Sequence, residues 1–374
     1  MDKLNSRNIT INKLENNEKK STIKALIYHG IRNVKLEEKE LPICGPDDVI
    51  VRNVRAGICG TDITGYLHGG EKVQINPGRE FGHEMVGYIY EKGENVKDVE
   101  VGTRVFVEPS KCTPNQYEAD MAGAFSQYVR VQNAKIGYNL YILPDNLSYD
   151  DAVLIEPFSV ATHGKNTAKA KPNENILIIG AGTIGLCALC SLAAQGNKKI
   201  VVLDIDDTRL KAVQKLGGIG FSSLKGPEST IKFLENYFGI LKNTNHRISY
   251  ENGKMTVTEN SVINIDVVID CAGIKGFVDE FMKHAKQHSR YTCIALHKQP
   301  VTISFHELMS TQCALMGSRG FSPNDIEEVI SNLAEKKSKA PEIITHKFPL
   351  ENAEKAFEIA ADPTCAIKVV LDLE

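Results

Sequence analysis

The chain of 374 residues is long for a single hydrophobic core, so its length predicts two domains. It is 42% hydrophobic and 24% charged, and its formal net charge of −3 gives no basic excess for nucleic-acid binding. No apolar run reaches the roughly 18 residues that a membrane-spanning helix needs. Residues 1–22 form a polar arm without the apolar centre of a secretory signal, which predicts a cytoplasmic protein.

The predicted elements between residues 22 and 131 are short strands. Apolar residues alternate with polar ones, and glycine and proline interrupt the pattern, which is typical of antiparallel sheets. The predicted strands cover residues 23–28, 49–54, 85–90, 104–107 and 125–131.

From about residue 175, apolar strands alternate with helices, which predicts a doubly wound parallel sheet. The strands are predicted at residues 176–179, 199–204, 265–270 and 292–296, with an edge strand at 301–305. Helices at 325–337 and 351–360 precede a last strand at 367–373. Residues 221–264 exceed a plain helical crossover, and Asn252-Gly253 between β-prone flanks predicts a surface hairpin over 246–258.

A glycine pattern follows the strand at residues 176–179. Gly180, Gly182 and Gly185 have the G-x-G-x-x-G spacing, which permits a tight turn, close approach of a pyrophosphate and close packing of helix on strand. The next strand ends on Asp204, where a carboxylate would accept the ribose hydroxyls of a dinucleotide. Because a carboxylate repels a 2′-phosphate, we expect NAD rather than NADP, although Arg209 could reach such a phosphate or cover the adenine.

Three residue types upstream of this pattern suit a metal. Cys59, His83 and Glu156 come from separate segments, and a thiolate, an imidazole and a carboxylate leave the fourth position of a tetrahedral zinc open for substrate. Nine cysteines, an odd number, form no evident disulfide framework. Cys187 and Cys190 are spaced C-x-x-C, but their leucine and alanine neighbours predict a buried helix rather than redox chemistry.

As a set, six segments resemble the zinc-containing medium-chain dehydrogenases, the superfamily of alcohol, sorbitol, butanediol and threonine dehydrogenases. They are Cys59-Gly-Thr-Asp62, Gly82-His83-Glu84, Glu156-Pro157, Gly180-Ala-Gly-Thr-Ile-Gly185, Cys271-Ala-Gly273 and Thr345-His-Lys-Phe-Pro-Leu350. The resemblance implies an α/β protein, with a mainly β, GroES-like catalytic domain (residues 23–160 and 319–374) around a Rossmann domain (161–318).

The resemblance also implies a site. One catalytic zinc per chain is held by Cys59 and His83, with Glu84 or Glu156 as the third ligand. Asp62 would orient His83 by accepting its remaining N–H. Thr61 would accept the alcohol proton while hydride passes to the nicotinamide. The predicted cofactor-binding residues are Gly180, Gly182, Thr183, Ile184, Gly185, Asp204, Arg209 and Lys368.

The sequence departs from the family pattern in three places. The segment that holds a structural zinc in many relatives has only Cys112, so a second zinc is not expected. Thr64 stands where relatives have a proton-relay histidine. Gly65 and Gly320 stand where polyol dehydrogenases tend to place aromatic and arginine side chains, while Phe81, Phe125, Phe158 and Phe321 are expected near the active-site cleft.

We therefore expect an NAD-dependent zinc enzyme that interconverts a secondary alcohol and its ketone. The glycines and phenylalanines favour a substrate less polar than a hexitol, while Glu156 retains a polyol or polyol phosphate as the alternative. Butanediol, threonine and a bulky hydroxysteroid-like alcohol also stay open, as do a zinc-free quinone reductase and a non-catalytic dinucleotide sensor. Family members pair an edge strand across a two-fold axis, which predicts a homodimer or homotetramer.

Overall fold

The computed structural model describes residues 22–112, 119–242, 247–251, 254–258 and 261–374. The predicted arm, apart from Thr22, lies outside the described residues. The chain forms two compact units, one of Met1–Ile142 with Phe348–Phe357 and Leu371–Glu374, the other of Leu143–Lys347 with Glu358–Val370. The predicted domains (23–160 with 319–374, and 161–318) have other bounds, and that assignment stays a prediction.

The first unit is built mainly from antiparallel strands, as the alternating pattern predicts. Its strands are β1 (Thr22–Gly30), β2 (Asn33–Glu40), β3 (Val49–Gly57), β4 (Arg79–Glu80), β5 (Glu84–Lys92), β6 (Arg104–Val107), β7 (Tyr128–Val131) and β8 (Leu140–Ile142), and its first helix is α1 (Gly60–His68). Strand β1 pairs with β2 and β4. Strand β3 pairs with β5 and β7, and β6 lies between β5 and β8.

An aromatic cluster fills the core of this unit. The rings of Phe81 and Phe125 lie 4.9 Å apart, and both lie 5.6 Å from the ring of Phe357. All three side chains are buried. The expectation that Phe81 and Phe125 line a substrate cleft is therefore wrong, because these rings are buried and pack against one another.

The second unit contains the alternating strands and helices. Its elements up to the last sheet strand are α2 (Tyr149–Ala152), α3 (Ile155–Thr167), β9 (Asn175–Ile179), α4 (Thr183–Gln195), β10 (Lys199–Asp204), α5 (Asp207–Lys215), β11 (Ile219–Ser222), α6 (Pro227–Phe238), β12 (Ile240–Lys242), β13 (Arg247–Glu251), β14 (Lys254–Thr258), β15 (Ser261–Ile263), β16 (Val267–Asp270), α7 (Lys275–His284), β17 (Arg290–Cys293), α8 (Phe305–Thr311) and β18 (Ala314–Gly317). The chain ends with α9 (Pro323–Ala334), β19 (Ile344–Pro349), α10 (Ala353–Ala360) and β20 (Lys368–Asp372).

Six parallel strands form the sheet of the second unit, in the order β11-β10-β9-β16-β17-β18. This is the doubly wound order 3-2-1-4-5-6, in which the connections reverse direction between β9 and β16. Ligands of such sheets bind beyond the carboxyl ends of the strands at this reversal. The glycine turn after β9 and Asp270 at the end of β16 therefore lie where a dinucleotide is expected.

Two local predictions in this unit have different outcomes. Strands β13 and β14 pair in antiparallel fashion, from Arg247 opposite Thr258 to Glu251 opposite Lys254, which confirms the predicted hairpin; its turn lies outside the described residues. The predicted edge strand at 301–305 is wrong, because α8 begins at Phe305 and Ser304 caps it by accepting a hydrogen bond from the backbone N–H of Glu307 (3.3 Å). Strand β18 is the last strand of the sheet on that side.

Two cysteine predictions concern the core. Cys187 and Cys190 are buried in α4, and burial raises the pKa of the Cys190 thiol to about 12, so they are packing residues as predicted.

Among the described residues, no helix has the length and apolar character needed to cross a membrane.

Candidate metal centre and dinucleotide turn

The candidate metal centre starts at the first turn of α1. Cys59 is the residue before this helix, and its backbone N–H donates to Asp62 Oδ2 (2.9 Å). The side chain of Asp62 therefore caps the helix start and fixes the Cys59 backbone. Cys59 would bind a metal through its sulfur, in the thiolate form.

His83 and Glu84 lie at the start of β5. Glu84 is the first residue of the strand and pairs in register with Gly57, at the end of β3. Gly82 precedes them with φ +93°, and a Cβ there would lie 2.7 Å from the ring of Phe125. Only glycine satisfies both conditions, so this turn sets where His83 leaves the core.

These elements bring three ligand atoms together. Cys59, His83 and Glu84 each offer one such atom, and the three atoms lie within 4.8 Å of one another. His83 is 5% exposed and Glu84 1% exposed. Their sulfur, nitrogen and oxygen donors suit zinc, so the residues present fit the metal that the sequence predicts.

Asp62 has a second contact in this centre. Its Oδ1 lies 3.6 Å from Nδ1 of His83, and its side chain is 1% exposed. Since Nδ1 faces Asp62, Nε2 is the ring nitrogen left for a metal. The single carboxylate thus faces the imidazole with one oxygen and caps the helix that carries the thiol with the other.

Two threonines of α1 differ in their environment. The Thr61 hydroxyl is buried and finds no hydrogen-bond partner within the described parts of the chain. The Thr64 hydroxyl donates to the carbonyl of Gly60 (2.8 Å), on the preceding helical turn. A buried hydroxyl without a partner costs free energy, so Thr61 is the one arranged for an absent polar ligand.

Glu156 belongs to the second unit, in the first turn of α3, and is 8% exposed. Phe158, on the same helix, is buried, whereas Phe321 is half-buried. Phe158 is therefore also a packing residue and does not line an open cleft. The role of Glu156 as a ligand stays a prediction.

Cys112 is buried, and its thiol donates to the carbonyl of Arg130 (3.6 Å). Burial, with the nearby Glu108 carboxylate, raises the pKa of Cys112 to about 12, which disfavours the thiolate. The expectation that no second zinc is bound in this segment stays a prediction.

Gly65 and Gly320 differ in the space around them. A Cβ on Gly65 would lie 3.0 Å from Ile75 Cδ1 and 3.2 Å from Val73 Cγ2, so a larger residue would push on this packed loop. Gly320 has φ +65° and open space around it. Packing thus accounts for the glycine at position 65, and backbone conformation for that at position 320.

The dinucleotide turn has the geometry that its glycines predict. Gly180 has φ +96°, and a Cβ on Gly185 would lie 1.9 Å from the carbonyl oxygen of Gly180. At Gly182 the nearest atom to such a Cβ is Arg209 Nη1, at 4.0 Å. Gly185 thus serves the packing of α4 on β9, while the space at Gly182 is free for a phosphate.

The other predicted cofactor residues are placed as follows. Asp204 Oδ2 accepts from the backbone N–H of Ala181 (2.6 Å) and Oδ1 from Ile205 (2.7 Å) and Asp206 (2.9 Å), so the carboxylate ties the glycine turn to the end of β10. Each oxygen can accept more than one hydrogen bond, so a ribose hydroxyl can still be bound. Arg209 Nε is buried without a hydrogen-bond partner among the described residues.

Residues at the start of α4 complete the set. The Thr183 hydroxyl donates to the carbonyl of Ile367 (2.9 Å), so its side chain already has a structural role. Ile184 is half-buried, and Lys368 in β20 is 1% exposed. None of these contacts tests the predicted cofactor roles.

An apolar cavity of about 370 Å³ lies in the second unit. Its walls include Leu203, directly before Asp204, and Ile274, directly after the Cys271-Ala-Gly273 turn, together with Phe277 of α7. Its lining is mostly apolar, so the cavity suits an apolar or aromatic group better than a metal or a charged group.

Sequence reasoning missed a second group of metal-ligand residues. Asp270, Cys293 and His297 each offer a ligand atom, and these atoms lie within 4.8 Å of one another. The three residues are spread over 28 positions, and only the pairing of β16 with β17, in which Asp270 is opposite Cys293, brings them together. The expectation of one zinc per chain stays a prediction.

Comparison with known proteins agrees with this architecture. Residues 45–141 match the alcohol dehydrogenase GroES-like domain, and residues 183–335 match the zinc-binding dehydrogenase domain. The chain is 27% identical over 363 residues to sorbitol dehydrogenase of Bacillus subtilis (strain 168), covering 90% of this chain and 93% of the relative. It is 28% identical over 361 residues to L-idonate 5-dehydrogenase of Vitis vinifera, covering 92% and 93%.

A solved structure shares the fold. The 2R,3R-butanediol dehydrogenase from Bacillus subtilis superposes with a TM-score of 0.77 at 22% identity, over 94% of this chain and all (100%) of that one. The two domain matches, the parallel sheet with its glycine turn and the grouped Cys59, His83 and Glu84 lead to one conclusion. The chain belongs to the superfamily of zinc-dependent medium-chain dehydrogenases, with a GroES-like and a Rossmann-type part.

Proposed function

We propose that this protein is an NAD-dependent zinc dehydrogenase that interconverts a secondary alcohol of the polyol class and its ketone. The grouping of Cys59, His83 and Glu84 around one position carries the proposal, because this donor set leaves room for a substrate oxygen on a four-coordinate metal. The polyol class is supported by the relatives, which include a sorbitol and an L-idonate dehydrogenase.

Cys59, His83 and Glu84 are the residues that we assign to the metal. Zinc held there would act as a Lewis acid, polarising the substrate oxygen and lowering the pKa of the alcohol. Glu84 is the preferred carboxylate because its ligand atom already lies within 4.8 Å of those of Cys59 and His83. Glu156 stays as the alternative ligand, to be tested by exchanging each glutamate for glutamine.

Proton transfer is assigned to Thr61. Its hydroxyl is buried, without a hydrogen-bond partner in the described part of the structure, and lies two residues after Cys59. A substrate hydroxyl donating to Thr61 Oγ would satisfy it and begin the removal of the alcohol proton. The Thr64 hydroxyl differs, because it already donates to the carbonyl of Gly60 within its own helix.

The dinucleotide is assigned to the turn after β9. Gly182 gives a phosphate access to the helix N-terminus, and Asp204 would accept the ribose hydroxyls. Arg209, with a nitrogen near Gly182, is placed to contact a phosphate. We retain NAD over NADP because a 2′-phosphate would meet the buried Asp204 carboxylate, and Thr183, Ile184, Gly180, Gly185 and Lys368 complete the proposed set.

The preference for an apolar substrate loses part of its basis. Phe81, Phe125 and Phe158 are buried packing residues, and Gly65 is explained by the nearby Ile75. Because these side chains do not line an open site, the polyol alternative becomes the favoured substrate class.

The test is NADH formation by the purified protein with sorbitol, xylitol, L-idonate, 2,3-butanediol and long-chain secondary alcohols. We expect a polyol to exceed every apolar alcohol in kcat/KM by at least about tenfold, since a site that hydrogen-bonds hydroxyls rejects analogues without them. A chelator should abolish activity, and added zinc should restore it. Activity that survives complete metal removal would refute the zinc mechanism, and apolar alcohols outperforming all polyols would refute the substrate class.

We also propose a homo-oligomer. The predicted edge strand does not exist, but the helix that begins there, α8, exposes Phe305 (79%) and Met309 (64%) one turn apart. Exposed apolar side chains on one helix face are typical of an interface, and a second copy of the chain is the partner proposed.

A further inference from the structure

Asp270, at the end of β16, is a fully buried carboxylate in the second unit. Its Oδ1 accepts from the backbone N–H groups of Ala272 and Gly273, both at 2.9 Å. Its Oδ2 accepts from the Tyr291 hydroxyl and lies 2.8 Å from Nε2 of His297, also a donor in this arrangement. Among the described residues, His297 is the sole ion-pair partner of Asp270.

The pKa of Tyr291 is raised by burial and by the Asp270 carboxylate, so Tyr291 stays a neutral hydrogen-bond donor. A buried carboxylate without a full positive partner is costly, and such groups are stabilised by ion pairing or by coordinating a metal. The hydrogen bonds to Asp270 thus come from two backbone N–H groups, a neutral hydroxyl and the His297 imidazole.

His297 also has a nitrogen without a partner. While Nε2 contacts Asp270, Nδ1 is buried and has no hydrogen-bond partner in the described chain. A buried nitrogen without a hydrogen-bond partner costs free energy. The imidazole is thus held in place by the carboxylate with part of its binding capacity unused.

Cys293 adds the third donor. It ends β17 and is paired in register with Asp270, and its thiol donates to the carbonyl of Ala295 (3.3 Å). One ligand atom from each of Asp270, Cys293 and His297 lies within 4.8 Å of the other two. In a tetrahedral zinc site such atoms would be about 3.4–3.6 Å apart, from the usual metal–ligand lengths. Side-chain shifts of about 1 Å would close the site.

We propose that Asp270, Cys293 and His297 form a second metal site, for a divalent cation of borderline softness such as Zn²⁺ or Co²⁺. The sulfur and nitrogen donors select against Mg²⁺ and Ca²⁺, which require oxygen ligands. Binding exchanges the Cys293 thiol proton for a metal–sulfur bond and releases that proton to solvent.

This site is weaker than the first. Metal binding requires the Cys293 thiol to lose its proton and its hydrogen bond to the carbonyl of Ala295. The Asp270 carboxylate must also exchange its hydrogen bond with His297 for the metal. We therefore expect the purified protein to carry one zinc and to take up a second ion only when metal is added.

The test uses Co²⁺, whose bond to a thiolate gives a charge-transfer absorption in the near ultraviolet. In the full chain with Cys59→Ala, which removes the thiolate of the first site, a chelator-treated sample should bind one Co²⁺ with this band. Adding Cys293→Ser should remove the band and weaken binding at least about tenfold, and His297→Gln should weaken it similarly. The matched control is Cys313→Ser, at another buried cysteine of the same unit, which should keep the band.

A second measurement does not depend on the Cys59 variant folding. Wild-type protein already loaded with one equivalent of zinc should bind a second equivalent by calorimetry, and Cys293→Ser should bind none. A band of equal strength with and without Cys293, or no second equivalent at submillimolar metal, would overturn the proposal and leave the cluster as a hydrogen-bond network only. Alcohol turnover by the singly loaded enzyme is independent of either result.

Discussion

Gly182 and Gly185 are expected to respond in opposite ways to alanine, although they lie in the same turn. In Gly185→Ala the new Cβ would lie 1.9 Å from the Gly180 carbonyl oxygen and 2.9 Å from its carbon. Both are backbone atoms, so no side-chain rotation relieves the contact, and α4 must move away from β9. In Gly182→Ala the nearest atom, Arg209 Nη1, is 4.0 Å away, and φ is −72°.

The magnitudes separate the two variants. Overpacking of this kind costs about 1–3 kcal/mol, and a backbone clash belongs at the upper end. Replacing a helical glycine by alanine returns about 0.5–1 kcal/mol. The net loss of about 2 kcal/mol should lower the Tm of Gly185→Ala by about 4–8 °C for a unit of this size. Gly182→Ala should melt within about 1 °C of wild type, since its loss as a helix cap and its gain in unfolded-state entropy nearly cancel.

The binding of NADH should rank the two variants in the opposite order to their thermal stability. Gly182 is the place where the backbone must approach the pyrophosphate, so its alanine variant should raise the Kd for NADH at least about tenfold, or about 1.4 kcal/mol, with an unchanged fold. Melting is followed by circular dichroism and binding by the fluorescence of NADH itself. Equal melting temperatures for the two variants, or wild-type NADH affinity in Gly182→Ala, would refute this division of roles.

Three further outcomes are expected. Purified wild type should contain one zinc per chain, and Cys112→Ala should keep it. Cys59→Ala should lose the zinc and all alcohol oxidation, while its affinity for NADH stays within about twofold of wild type. Loss of NADH binding in Cys59→Ala would contradict this expectation. The kcat/KM for NAD should exceed that for NADP at least about tenfold because of Asp204, and equal values would remove the cofactor assignment. Phe305→Asp should convert an oligomer into monomers in sedimentation experiments, while Asp at the equally exposed Leu224 should not.

The fold could be predicted from the sequence wherever a short-range pattern determines it. Strands β6 and β10 have the predicted bounds, because their apolar residues are buried in a sheet. The error at residues 301–305 has an equally local cause. Val-Thr-Ile-Ser-Phe alternates like a strand, but Ser304 followed by Glu307 is the S-x-x-E pattern of a helix start, and the cap prevailed over the alternation.

The parts that could not be predicted depend on contacts between distant segments. Phe81, Phe125 and Phe357 pack on one another across more than two hundred residues of sequence, so nothing near any one of them shows that it is a core residue. Asp270 and Cys293 likewise become neighbours only through the register of two parallel strands. Periodicity predicts which face of an element is buried, but not which element covers it.

The ligand set of Cys59, His83 and Glu84 depends less on contacts between distant segments, because His83 and Glu84 are consecutive in the sequence. Successive residues within a strand point to opposite faces of a sheet, so His83 and Glu84 could not both face Cys59 if the strand began before them. Strand β5 begins at Glu84, and the turn at Gly82, with φ +93°, lets His83 approach from outside the pleat. The ring of Phe125 leaves no space for a side chain at position 82. The aromatic cluster, whose buried rings do not line a substrate pocket, therefore also fixes the conformation of this turn. The Gly-His-Glu sequence therefore encodes a backbone geometry as well as two ligands, which is why Glu84, rather than Glu156, is the carboxylate that we assign to the metal.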